Sequence, residues 1–477
     1  MTYGREQNGR RAIGLHWQKN RKLLRSGLIL VALCGLAIGI FAGTRMPNPL
    51  NSTDSTGTLS TYSTAGGVDK ANPFFQSLGT NGRSCASCHV ASDGWSVTPP
   101  DLQARFNSSN GLDPVFRPVD GANCPSADVS SFSARQSAYS LLLNKGLIRV
   151  SMPVPAGATF TIQQILDPYN CPETSTSQLA LYRRPLPSTN LDFISAAMWD
   201  GRETVKDPIT GVINLVQSLT NQAADATLGH AQALAAPSSQ QLAQIVAFET
   251  ALYTAQVNDD SAGNLNAQGA TAGPVGLSSQ PFYIGINDAL GGDPTGAAFN
   301  PNAFTLYNKW ANLRSQPNRQ AVARGQALFN NFPIAITGVG GLNDALGMTV
   351  INGTCTTCHD SPNVGNHSFS VPLNIGTTAY PAVPALDISG LPVYTVQCDD
   401  APPFQVTDIG RAMKSGQCAD VGKVKGPILR GLAGRAPYFH NGAAGTLNDV
   451  VDFYDQRFNL NLTEQQKADL VAFLKTL

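Results

Sequence analysis

The sequence predicts a mainly α-helical protein made of two similar helical units with long loops, preceded by one N-terminal membrane segment. Three observations carry that expectation. A five-residue motif occurs twice, at Cys85-Ala-Ser-Cys88-His89 and Cys355-Thr-Thr-Cys358-His359. Apolar residues recur at helical spacing on both sides of the second copy. Near the N-terminus, Gly27 to Gly43 runs without a charge between Arg25 and Arg45.

With 477 residues, the chain is long enough for more than one domain. Only 13% of residues are charged, so the polar surface falls to Ser, Thr, Asn and Gln, and 45 Gly and 31 Pro supply turns. Such a composition suits neither a coiled coil nor a charge-rich disordered chain. Net charge is zero, but Arg5, Arg10, Arg11, Lys19, Arg21, Lys22 and Arg25 crowd the leader against Glu6 alone. The body is therefore acidic and has no basic stripe to neutralise phosphates, which excludes nucleic acid as a partner.

Residues 1–26 read as a cytoplasmic basic leader and 27–44 as a transmembrane anchor or a signal peptide, two readings whose lengths overlap and of which the uncleaved anchor is favoured. The leader's positive charge would export everything that follows, so the body should face the periplasm, anchored to the inner membrane or released into the periplasm. Residues 45–67, rich in Ser, Thr and Gly, read as a flexible tether. A stretch over 255–303 reads as a long surface insertion. The remainder divides at the loop before the second motif, into 68–315 and 316–477.

Cys-x-x-Cys-His is the attachment signal for a c-type haem. Two thiols on one turn each add to a vinyl group of the porphyrin, and the adjacent His ligates iron from the proximal side. A structural zinc site would need a second close pair, which neither copy has. The expectation is two covalently bound haem c groups, on Cys85, Cys88 and His89 and on Cys355, Cys358 and His359, each in a cytochrome c-like domain. Around the second, RQAVARGQALFN precedes the motif with Val322, Gly325 and Phe329 on one face, and Gly325 would let two helices cross closely. Thr463 and Gln466 form a capping box before the Leu470, Phe473, Leu474, Leu477 stripe. Cys124, Cys171, Cys398 and Cys418 allow three disulfide connectivities, of which chain proximity favours Cys124–Cys171 and Cys398–Cys418.

Further motifs follow in order: Trp199-Asp200-Gly201-Arg202, then Leu429-Arg430, then Arg435-Ala436-Pro437-Tyr438-Phe439-His440-Asn441-Gly442, then Thr446-Leu447, Val450-Val451 and Phe453-Tyr454. Together with the paired Cys-x-x-Cys-His copies, they make residues 70–477 resemble the bacterial di-haem cytochrome c peroxidase/MauG superfamily. The resemblance implies a peroxidatic first haem, an electron-transfer second haem and Trp199 between them. It places the sixth ligand of the second haem fourteen residues after His440, at Tyr454, where the MauG branch has Tyr and the peroxidases have Met. Tyr454 also shares a face with Leu447, Val450 and Val451 on a helix capped by Thr446 and Asp449. A phenolate there would stabilise oxidised iron. Met413 is the alternative ligand.

The chain departs from the family in the distal pocket, where the positions of the expected Gln and Glu fall on Ile209 and Leu219. Gln222 and His230, eight apart on one helical face, are the substitutes, with His230 moving a peroxide proton. His440 is expected beside the haems, and His367 as a loop hydrogen-bonder. The resemblance also implies a possible calcium ion held by the backbone of Arg435 and Pro437. The partners it implies are hydrogen peroxide or oxygen, with a small electron-donor protein or an organic or protein substrate. The alternatives are a non-catalytic di-haem electron-transfer cytochrome and an oxygenase on the same scaffold.

Overall fold

In the computed structural model, the described residues are 45–399 and 401–477. The basic leader and the apolar run from Gly27 to Gly43 lie outside them. No helix among the described residues is long and apolar enough to cross a membrane.

Residues 47–477 form one compact unit. Contrary to the mainly α expectation, helices share this unit with twelve strands, arranged as two four-stranded sheets and two hairpin-like pairs. The first sheet overturns the flexible tether. β1 (Leu50–Asp54) and β2 (Gly57–Ser63) form a tight antiparallel hairpin, closed where the Asp54 carboxylate accepts from the Thr56 amide at 2.7 Å. β2 then pairs along its whole length with β6 (Leu252–Asp259). Leu59 and Thr61 point inward and are buried. Alternating Thr and Ser suit a pleated strand through β-branching and side-chain hydrogen bonds. Low hydrophobicity masks that signal in the sequence.

The supposed insertion over 255–303 is likewise not a surface loop. β6 crosses its start, and Ala262, Leu265, Ala270 and Ala272 enter the core that also holds Trp310, Phe329 and Phe473. Nor do the two halves of the chain remain separate. β4 (Thr161–Leu166) pairs with β11 (Val393–Gln397), so one sheet draws strands from both sides of the 315/316 boundary. Met413 lies in the core beneath that sheet with Phe160, Ile162, Leu179 and Tyr394, which makes it a packing residue.

The helical elements around the second motif are as expected. Helix Pro317–Asn331 crosses helix Glu464–Leu474, and a Cβ on Gly325 would fall 1.9 Å from the Asp469 carbonyl oxygen. Only a residue without a side chain permits that approach. Both capping boxes form, Thr463 with Gln466 and Thr446 with Asp449. The disulfides are Cys124–Cys171 and Cys398–Cys418. Gly325→Ala should force the helices apart and destabilise the protein by about 2 kcal/mol, the usual cost of overpacking. A urea melt with an unchanged midpoint would show that the crossing tolerates a methyl group.

Candidate functional site

The two Cys-x-x-Cys-His copies fold alike. Each begins at a hydroxyl cap, Ser84 or Thr354, whose partner three residues on closes a reciprocal capping box around a single 3-10 turn. In each, the His amide donates to the carbonyl of the first Cys, at 3.0 Å for His89 and 3.1 Å for His359. In each, the ring Nδ1 meets a backbone carbonyl six residues on: Trp95 at 3.0 Å from His89, and Gly365 at 2.7 Å from His359. That contact fixes Nδ1 as the donor and leaves Nε2 as the nitrogen with a free lone pair. Burial pulls both imidazoles down to about 4, so both are neutral and able to ligate metal. Nothing in this geometry suits a redox dithiol. Burial pushes the Cys85, Cys355 and Cys358 thiols up to about 12.

Trp95, which the sequence does not single out, ties the first motif to the β hairpin. Its backbone is left-handed, with φ 61°. Its indole N–H donates to Thr61 at 2.9 Å, and Phe74 and Phe248 pack against its ring. Phe74 also lies 6.2 Å from the His89 ring. The hairpin thus positions the carbonyl that orients His89.

A cavity opens beside this motif. Its wall includes Cys85, Cys88, His89, Trp199, Gln222 and His230, so the first-motif residues and the proposed distal residues share one chamber. Leu219 lines it as well, whereas Ile209 is on an exposed loop. Gln222 lies on helix Leu215–Gly229 and His230 is its C-cap. The His230 Nδ1 is 2.5 Å from Asp120, whose other oxygen pairs with Arg83 at 2.5 Å. Burial raises the Asp120 carboxyl, but the His230 hydrogen bond and the Arg83 charge outweigh it and hold the group below its ordinary value. Asp120 is thus an ionised acceptor that fixes the His230 tautomer. The sequence gives no sign of it, because it lies 110 residues from its partner. Glu249, also in the wall, is buried and pushed up to about 7 by desolvation.

Trp199 is nearly buried and anchored at both ends. Its indole donates to the Arg184 carbonyl at 2.8 Å, and its own carbonyl accepts from the Lys425 amide at 2.8 Å. The His440 ring meets it edge-on with centroids 6.1 Å apart, and the Arg184 amide donates to the His440 carbonyl. The His440 ring is buried with neither nitrogen hydrogen-bonded, and burial pulls it down to about 4. The neighbouring Phe439 ring is 6.5 Å from Tyr454. Burial pushes the Tyr454 phenol well above its ordinary value. Around Trp199 runs a buried charge network. Arg183 holds Asp408 through two hydrogen bonds, at 2.7 and 2.8 Å, and Asp200 through one at 2.6 Å. His367 is held by its backbone, whose carbonyl accepts from Ser195, and its ring lies 3.6 Å from Asp360.

At the residues expected to hold calcium, the structure shows the Arg435 carbonyl already engaged. It accepts from the Arg184 guanidinium at 3.1 Å, so a positive charge lies beside it. Among the described residues no group of three or more His, Cys, Asp or Glu side chains is placed to hold a metal ion. The haem expectation does fit: each motif combines paired thiols with a neutral, oriented imidazole.

No protein-family profile matches the chain. It is similar over part of its length to named proteins. One is "Cytochrome-c peroxidase IdrP2" of Denitromonas iodatirespirans, 36% identical over 140 residues, covering 26% of this chain and 36% of the relative. Another is "Cytochrome c551 peroxidase" of Nitrosomonas europaea, 28% identical over 129 residues, covering 26% of this chain and 30% of the relative. The chain thus spans about a third of the length of these relatives. A solved structure described as a MauG-like protein associated with microbial copper homeostasis aligns over 85% of this chain and 87% of its own, at 16% identity and a TM-score of 0.37.

The Arg183 network sets a pH dependence. Burial raises Asp200, but Arg183 and Arg202 outweigh it and hold it down to about 2. A depressed carboxyl contributes stability that is complete above its unfolded value of about 4 and is lost as pH falls toward 2. Asp200→Asn should cost about 3 kcal/mol at pH 7 and flatten the acid limb of the stability profile. Parallel acid limbs in denaturation curves of the two proteins would assign the loss to other groups.

Proposed function

We propose that the chain is a di-haem c-type oxidoreductase of the cytochrome c peroxidase/MauG kind, reacting with peroxide at the site of His89 and exchanging electrons through the site of His359. The observation that carries this reading is the shared cavity wall, which joins Cys85, Cys88 and His89 to Trp199, Gln222 and His230. The partial likeness to named cytochrome-c peroxidases supports the same class.

Cys85, Cys88 and His89 would hold one haem, and Cys355, Cys358 and His359 the other. When bound, the haems supply the iron that reacts with peroxide and the redox centres that pass electrons. Reduction of one hydrogen peroxide to two waters takes two electrons, from a small donor protein, and two protons. His230 handles protons. With Nδ1 held by Asp120, its Nε2 accepts a proton from one peroxide oxygen and returns it to the other. Gln222 orients the peroxide by hydrogen bonding from the same helix. Trp199, His440 and Phe439 form the aromatic route from the cavity toward Tyr454. Tyr454 would hold the second haem's iron through its phenol oxygen, and that buried phenol would ionise only against a positive centre such as ferric iron. The body is extracytoplasmic, as its two disulfides favour.

Cys88→Ala and Cys358→Ala should each lower covalent haem from two per chain to one, read by pyridine haemochrome assay; two haems retained in either variant would refute the attachment. Tyr454→Phe should change the spectrum of one haem only. His230→Ala should slow the reaction with peroxide by about a hundredfold, within the range for lost acid–base catalysis, and leave the second haem's spectrum intact. An unchanged rate in stopped flow would remove His230 from the mechanism.

A further inference from the structure

The cavity beside the first motif is rich in buried cations, and most of them are satisfied. Arg83 pairs with Asp120, and Arg183 and Arg202 with Asp200. Arg184 and Arg435 spend their guanidinium groups on main-chain carbonyls. Arg430 and Lys425 differ.

Arg430 is buried in the cavity wall, and its Nη1 donates to the Asn363 carbonyl at 2.8 Å. Its Nε and Nη2 have no partner. Those two nitrogens form one edge of the guanidinium, the fork that takes a carboxylate through two parallel hydrogen bonds. Arg183 uses this same edge to hold Asp408. Lys425 is half-buried by its surface, yet desolvated enough to fall to about 8, and its ammonium donates to the Ala196 carbonyl at 3.1 Å. Among the described residues neither cation is in a salt bridge with a carboxylate. An unpaired buried charge costs several kcal/mol, so these side chains are placed for an anion that the polypeptide does not itself supply.

The chemistry of the wall identifies the anion. Cys85 and Cys88 line the same chamber, and a porphyrin tethered there brings two carboxylates on short flexible stems. We propose that Arg430, through its Nε/Nη2 edge, and Lys425 bind the propionates of the haem held by Cys85 and Cys88. This rests on the haem reading given above. Leu429-Arg430 then has a purpose besides packing: it neutralises the cofactor inside the fold and sets that haem's potential.

The test uses the haem-loaded full chain, with covalent haem counted and both potentials measured by spectroelectrochemistry across pH. Arg430→Met should keep two haems. It should lower the potential of the haem on Cys85 and Cys88 by about tenfold in the reduction equilibrium, or about 59 mV for a one-electron couple, because a cation favours the reduced form. The same potential should become pH-dependent between about pH 5 and 7, where an unpaired propionate would take up a proton. Arg430→Lys should keep most of the potential and its flat pH profile, which a merely structural role would not require. If Arg430→Met does not accumulate, Lys425→Met is read in the same way. Full haem content with unchanged potentials and pH profiles overturns the proposal, as does a shift confined to the haem on Cys355 and Cys358. Absence of covalent haem from the unmutated protein would instead refute the haem reading beneath it.

Discussion

A guanidinium two per cent exposed has to be neutralised where it stands, and much of the candidate site is arranged around that requirement for Arg183. Its two carboxylate partners come from different places: Asp200 from the Trp-Asp-Gly-Arg turn 17 residues on, and Asp408 from just past the strand Phe404–Val406, 225 residues away. Losing either would strand a buried charge. The network therefore pins the early and late halves of the chain to one another. Its neighbours in sequence hold the aromatic residues: Arg184, next to Arg183, accepts from the Trp199 indole and donates to the His440 carbonyl, while Trp199 precedes Asp200. A charge constraint in the core thus also positions Trp199 and His440.

The same economy appears at the first motif. His89 is oriented by a carbonyl, the carbonyl by the left-handed backbone of Trp95, and Trp95 by a hydrogen bond to Thr61 on an N-terminal hairpin. Each link is a short polar contact inside an apolar cluster of Phe74 and Phe248, where the low dielectric strengthens it. A segment that looks like a linker by composition is therefore part of the support of a candidate iron ligand.

What the sequence made legible was local. The paired Cys-x-x-Cys-His turns, the capping boxes at Thr446 and Thr463, the close crossing at Gly325 and the disulfide pairs are all encoded within a few residues or by chain proximity. The missed features depend on contacts between distant segments. Asp120 meets His230 across 110 residues, Asp408 meets Arg183 across 225, and β2 is a strand because β6 lies beside it. Ser/Thr-rich strands show little hydrophobic period, so a reading keyed to apolar spacing sees helices and overlooks sheets. The surroundings of the expected calcium position were hidden for a related reason. Backbone carbonyls have no sequence signature, and the one at Arg435 turned out to serve Arg184.

The two motifs are alike as turns and unlike in their surroundings, and the difference is where function would be divided. Beside His89 lies a chamber with a hydrogen-bonded pair, His230 and Asp120, and an amide, Gln222, on a helix that reaches the surface. Beside His359 lie aromatic side chains: Phe329 is 5.8 Å from its ring, and Tyr454 is stacked on Phe458. An iron in the first setting would have a cavity beside it, walled by an imidazole and an amide. In the second it has neighbours that restrict access and an oxygen donor within the fold. Identical attachment chemistry would then give one reactive site and one relay, with the distinction made by the residues around each motif rather than by the motif itself.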